Sequence, residues 1–120
     1  MKKWNFVFVL SLLFFVNVAG AQVRQGALER INVFGESLAG NLMGESDSPE
    51  VSIYTPYSYD NEPNRRYPVV YILHGYTGTD QSWFGPEGRR QSELIADDVF
   101  ASGAASEMIL VMPNCYNAYG

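Results

Sequence analysis

Three stretches of this chain are apolar with little or no interruption, and they need two different explanations. The first runs from Trp4 to Val18 and is broken only by Asn5, Ser11 and Asn17. The second, Val69-Val70-Tyr71-Ile72-Leu73, follows Pro68 and stops at His74-Gly75. The third, Met108 to Met112, is closed by Pro113-Asn114. The last two are too short for helices and rich in β-branched residues, which predicts strands covered on both faces. Shorter alternating segments at Ile31–Phe34 and Val51–Tyr54 predict two earlier strands, read as an antiparallel opening pair. Residues 22–30 are polar and read as a lead-in. Gly35–Glu50 is a loop rich in Gly, Ser, Asp and Glu, in which Leu38, Leu42 and Met43 are expected to be buried. Tyr57–Tyr67 is a second loop, marked by Pro56, Pro63 and Asn/Asp turn formers.

Between the two continuous strands, residues 75–90 carry Gly75, Gly78, Gly85 and Gly88 and read as a loop. A helix is predicted from about Gln91 to Ser102, with Leu94, Ile95, Val99 and Phe100 as its apolar stripe and Gly103 in the C′ position. Strand, loop, helix and strand in that order form a βαβ unit, so the two strands should be parallel and the fold class α/β. Two such strands need cover on both faces, and one helix cannot supply it. The expectation is therefore an incomplete sheet, with Ala118-Tyr119-Gly120 as an interruption within a loop.

The first apolar stretch belongs to no part of this sheet. Lys2 and Lys3 precede it, and Ala19-Gly20-Ala21 supplies small residues before Gln22. That is the three-part pattern of a secretory signal peptide cut after Ala21. A membrane span needs about 20 apolar residues, which disfavours the alternative of a retained anchor. The expected organisation is a signal peptide over 1–21 and one incomplete domain over 22–120, in a secreted or periplasmic protein that leaves the membrane after cleavage. Residues 22–120 contain no lysine, and six arginines against 13 acidic residues leave them at a formal charge of −7. Such a balance argues against nucleic acid and against anionic membranes as partners. The single cysteine, Cys115, expected to be a half-buried residue after the last strand, can form no internal disulfide, and the single histidine, His74, excludes a multi-histidine metal site. No phosphate-binding glycine loop and no metal-ligand cluster is present, so no cofactor is expected.

The segment Tyr67-Pro68-Val69-Val70-Tyr71-Ile72-Leu73-His74-Gly75-Tyr76-Thr77-Gly78 resembles the third strand and oxyanion loop of α/β-hydrolases, in particular the esterase D family. That family includes feruloyl and acetyl xylan esterases, S-formylglutathione hydrolases and mycolyltransferases. Three further stretches resemble it in the same order: Ser37-Leu38-Ala39-Gly40-Asn41-Leu42; Val51-Ser52-Ile53-Tyr54-Thr55-Pro56 with Ser58-Tyr59-Asp60, where Thr55 and Tyr57 depart from the family pattern; and Met108 to Asn114. The resemblance spans most of residues 30–120 and implies the N-terminal part of an α/β-hydrolase fold.

Attack on an ester carbonyl places negative charge on its oxygen, and fixed backbone N–H groups stabilise that charge. By resemblance the first such donor is the N–H of Tyr76, and Gly75 lets the backbone turn close beneath the substrate. In this fold the triad runs Ser, Asp or Glu, then His, with the histidine near the end of the domain. His74 is accordingly expected to shape the loop rather than to act as base. Gly35-Glu36-Ser37-Leu38-Ala39 is close to the nucleophile elbow G-x-S-x-G, but it precedes the oxyanion strand, and Asn41 to Pro49 cannot run a long helix. Nucleophile, acid and base are therefore expected outside this chain. Trp83 and Phe84 could line an acyl or aryl pocket or be buried against the helix. Asn114, Tyr116 and Tyr119 follow the last strand, at the carboxyl edge where α/β proteins place their sites. Asp97-Asp98 should lie on a solvated helix face. Two functions fit: an exported serine carboxylic-ester hydrolase acting on small or polysaccharide-linked esters, or a non-catalytic exported binding domain on the same scaffold. The sequence leaves the ester and the oligomeric state open.

Overall fold

A computed structural model describes residues 24–85 and 90–119. The segment read as a signal peptide lies outside the described residues. Four strands form one mixed sheet: β1 (Ala27–Asn32), β2 (Glu50–Thr55), β3 (Val69–Tyr71) and β4 (Ile109–Pro113), with the helix α1 (Ser92–Ala101) between β3 and β4. Their order across the sheet is β1-β2-β4-β3. β1 and β2 are antiparallel, as are β2 and β4, whereas β3 and β4 run parallel, with Val69 opposite Ile109. The antiparallel opening pair and the parallel βαβ unit both form as the hydrophobic pattern predicts.

The boundaries differ where side-chain partners outweigh pattern. The first strand occupies Ala27–Asn32 rather than Ile31–Phe34, so the supposed polar lead-in is largely strand. Glu29 and Arg30 are admitted because Arg30 finds two carboxylates, Glu50 and Asp80. Beyond Asn32 only Val33 and Gly35 still donate to the returning chain, at Pro49 and Asp47. The third strand is shorter than its apolar run, although Ile72 donates one more bond to Val111.

The core is small and lies between α1 and one face of the sheet. Tyr54, Phe84, Ala96, Leu110 and Met112 are buried there, with Ile72, Trp83, Phe100 and Met108 at its margin. Period-two alternation puts Tyr54 on one face of β2 and Leu110 and Met112 on the matching face of β4. The helix contributes Ala96 and Phe100, whose ring sits 6.3 Å from that of Tyr54. Leu94 and Ile95, expected in the apolar stripe, are exposed, and so are Leu38, Leu42 and Met43. Val69, Val70, Tyr71 and Leu73 are likewise exposed, because β3 is an edge strand of this sheet with no strand beyond it. Burial of that run on both faces is thus not realised within the described residues.

Helix α1 ends as its sequence prescribes. Gly103 takes φ +73°, the Ala104 N–H donates to Val99 O and the Gly103 N–H to Phe100 O. These two bonds form a Schellman motif, which glycine at C′ permits without a Cβ clash. Asp97 is not on a solvated face: its Oδ1 accepts from the Tyr54 hydroxyl and the Gly26 N–H, both at 2.7 Å, pinning the helix to β1 and β2. Burial and this bond to Asp97 push the Tyr54 phenol well above its ordinary value, so it stays protonated.

Candidate active site

Residues 72–78 leave the carboxyl end of β3 and turn sharply. The Gly78 N–H donates to Gly75 O at 2.9 Å, and Thr77 takes φ +61°. Positive φ at the third turn residue alone is the type II pattern. Thr77 is β-branched, so this conformation is strained, on the order of 1–3 kcal/mol for such outliers. Gly78 is obligatory for contact reasons: a Cβ there would lie 2.9 Å from Gly75 O, His74 Cβ and Ser82 Oγ. Gly75 is different, since a Cβ would meet nothing within 4 Å. Its open side belongs to a pocket of about 240 Å³ also lined by Tyr76, Thr77, Gly78, Ser82 and Trp83. Among the described residues the Tyr76 N–H has no hydrogen-bond partner.

His74 bridges two strand ends. Its Nε2 accepts from the Cys115 N–H at 2.9 Å, and its Nδ1 lies 2.8 Å from Gly75 O. A carbonyl only accepts, so Nδ1 carries the proton and Nε2 is the acceptor. The ring is therefore neutral, with both nitrogens occupied, and it ties the turn after β3 to the segment after β4. Cys115, expected to be half-buried, is exposed and free; only its backbone takes part.

The other expected residues separate. Phe84 enters the core, whereas Trp83 stays at the pocket, with the Arg90 guanidinium 4.7 Å from its ring centre. The Trp83 indole N–H is buried without a partner among the described residues. Asn114 and Tyr116 line a larger groove, about 650 Å³, beyond β4, together with Glu45 and Glu50. The Asn114 side chain accepts from the Tyr116 N–H. Tyr119 is largely exposed and lies outside that groove. Ser37 sits in a three-residue 3-10 helix over Glu36–Leu38, followed by turns rather than by a long helix. Among the described residues no group of three or more His, Cys, Asp and Glu side chains could hold a metal ion.

One set of residues escaped the sequence reading. Asp80 is fully buried, and Arg30 grips it with two bonds, Nε to Oδ2 at 2.6 Å and Nη2 to Oδ1 at 2.8 Å. The Ser52 hydroxyl donates to Oδ2 at 2.8 Å. Burial pushes the Asp80 carboxyl up, but the bonds from Arg30 and Ser52 outweigh it and hold the group below its ordinary value. Arg30 and Ser52 are direct cross-strand partners, which no local pattern reveals. The one available signal was an acidic residue in a glycine-bearing loop between an apolar strand and a helix.

Comparison with known proteins accords with this geometry. The chain is 28% identical over 101 residues to an endo-1,4-beta-xylanase/feruloyl esterase of Xylanibacter ruminicola, covering 82% of this chain and 12% of that protein. It is 29% identical over 79 residues to endo-1,4-beta-xylanase Y of Acetivibrio thermocellus, covering 66% and 7%. Among solved structures it superposes on a ferulic acid esterase with a TM-score of 0.63 at 30% identity, covering 76% of this chain and 31% of the other. A CE1 ferulic acid esterase from the anaerobic fungus Anaeromyces mucronatus gives 0.58 at 26%, covering 82% and 32%. The chain thus spans about a third of the length of these structures and less of the curated relatives. Residues 44–117, most of the chain, match the family described as Putative esterase, and with its mixed sheet of α/β-hydrolase type the chain belongs to that family.

Proposed function

We propose that this chain is part of an exported serine carboxylic-ester hydrolase acting on feruloyl or acetyl esters of polysaccharide, and that it supplies one half of the oxyanion hole. The observation that carries this is the Gly75–Gly78 turn, with a Tyr76 N–H unpartnered among the described residues beside a pocket. A serine hydroxyl from outside these residues attacks the ester carbonyl. A histidine takes its proton and returns it to the leaving alcohol, while an acid orients that histidine. The carbonyl oxygen becomes an oxyanion and accepts from the Tyr76 N–H and from the N–H following the nucleophile. Each such donor contributes about 3 kcal/mol.

Other residues take subordinate roles. Gly75 leaves room for the substrate where a side chain would intrude. Trp83 lines the same pocket as Gly75 and Tyr76 and offers its ring to the substrate's acyl group. Asn114 and Tyr119 contribute further contacts beyond β4. His74 shapes the loop, since both its nitrogens are already engaged. The substrate class is supported by relatives that are ferulic acid esterases and a xylanase/feruloyl esterase. Export rests on the pattern of residues 1–21, and its test is a secreted protein whose N-terminus is Gln22.

The reading frame containing these residues, expressed whole, is expected to hydrolyse methyl ferulate and p-nitrophenyl acetate, and a serine-directed phosphonate should stop it. The 120-residue chain alone should be inactive. Specific turnover by those 120 residues, or none by the whole protein, overturns this reading; the second outcome favours the non-catalytic binding domain.

A further inference from the structure

We infer that Asp80 is the positioning residue of the oxyanion turn, acting through Arg30 and Ser52; this rests on the esterase reading. Residues 75–82 make few bonds outside themselves. Gly78 bonds to Gly75, Ser82 to Thr79, the Thr79 N–H to Ser82 Oγ, and the Gln81 N–H to Thr79 Oγ1. At the start of the turn His74 Nδ1 bonds to the adjacent Gly75 carbonyl, and its Nε2 accepts from the Cys115 N–H after β4. Within residues 75–82 it is Asp80 whose side chain, among the described residues, bonds directly to the strands, at the opposite end of the turn from the His74 bridge.

The geometry of that joint is directional. Arg30 and Ser52 face each other across β1 and β2 and converge on one carboxylate. The guanidinium fork fixes the carboxylate plane, and the serine hydroxyl fixes which oxygen lies deeper. Three donors on a carboxylate with 0% exposure define its place far more narrowly than packing alone. The turn that carries the Tyr76 N–H lies between the His74 bridge and Asp80, so the clamp fixes the second of its two ends and with it the height of that N–H above the sheet. An apolar residue at position 80 could fill the same volume, but it would not fix that height.

The test uses the whole esterase and separates position from stability. Asp80→Asn should lower kcat on methyl ferulate by about tenfold or more, the loss of one charged hydrogen bond expressed in the transition state, with KM little changed. Ser52→Ala, which removes a single donor, should give a smaller fall of the same kind and keeps the test open where Asp80→Asn fails to fold. The decisive variant is Arg30→Met with Asp80→Leu, because replacing a buried ion pair by apolar residues commonly restores stability. That double variant should recover Tm but not kcat, and its affinity for a phosphonate transition-state mimic should fall in parallel with kcat/KM while ferulate binding stays level. Recovery of kcat together with Tm would overturn the inference. Hydrogen exchange gives an arm independent of turnover: amides of residues 76–82 should exchange faster in Ser52→Ala than in the parent, with β4 unchanged. Equal exchange overturns the inference even where the parent hydrolyses no ester, an outcome that would separately defeat the esterase reading.

Discussion

Tyr76 occupies the second position of a turn in which proline is a favoured residue, so its N–H can be removed without losing the shape. Gly75 before it tolerates the backbone limits that a following proline imposes. Tyr76→Pro in the whole esterase is expected to fold and to lose about 10²- to 10³-fold in kcat, the effect of one oxyanion donor. Tyr76→Ala keeps the donor and should retain most of the rate; equal losses in both would show that the ring, not the backbone, matters. The two glycines of the turn should separate in the same way. Gly78→Ala meets three atoms at 2.9 Å and should lower Tm. Gly75→Ala meets none and should leave Tm unchanged while slowing turnover. At this scale the sequence was informative about Gly75, Tyr76 and His74, because their order along the chain carries the turn. Asp80 was not legible, because its meaning lies in residues 50 and 28 positions away.

At the scale of elements, two buried polar joints hold the strands and the helix in place. Tyr54 and Asp97 join β2 to α1 at the end of the sheet away from the site. Tyr54→Phe should cost about 1.5–3 kcal/mol in denaturant unfolding, the worth of a hydrogen bond to a carboxylate. It should leave kcat unchanged. The Asp80 joint adds a pH dependence. Its carboxyl lies below the ordinary value in the folded state, and the unfolded value is about 3.9. The stabilisation it gives is therefore full above about pH 4 and is lost as pH falls through the lowered folded value. The stability gap between the parent and Asp80→Asn, measured by urea unfolding, should be wide at pH 7 and narrow towards pH 2. A gap independent of pH would mean that the carboxylate charge contributes nothing. The elements themselves were largely legible: α1 begins and ends within a residue of its pattern, whereas β1 was displaced because its charged residues are satisfied only by distant partners.

At the scale of the molecule, apolar side chains exceed the cover available to them. Tyr71 is 68% exposed and Leu73 64%, on or just beyond an edge strand whose outer backbone is unpaired in this sheet, and Leu94 and Ile95 on α1 are also exposed. An open apolar strand edge is a template for association. The 120 residues expressed alone are expected to bind a hydrophobic dye and to run larger than a monomer in light scattering. Tyr71→Lys should reduce both, since a charge on the edge opposes pairing. A monodisperse monomer that binds no dye would contradict this.

The sequence by itself determined the α/β class, the parallel βαβ unit, the helix end at Gly103 and the position of the turn after β3. Each of these follows from residues close together in the chain, through periodicity, backbone freedom and turn chemistry. Tertiary structure decided the rest. It placed a charged strand at Ala27–Asn32, moved Asp97 from solvent to a joint, left the β3 run at an open edge, and set Arg30, Ser52 and Asp80 on one carboxylate. Those outcomes depend on which groups meet across the sheet, where a buried charge is tolerated only if its partners are already in place. The turn at His74-Gly75-Tyr76 is local; what holds it at a fixed height is not.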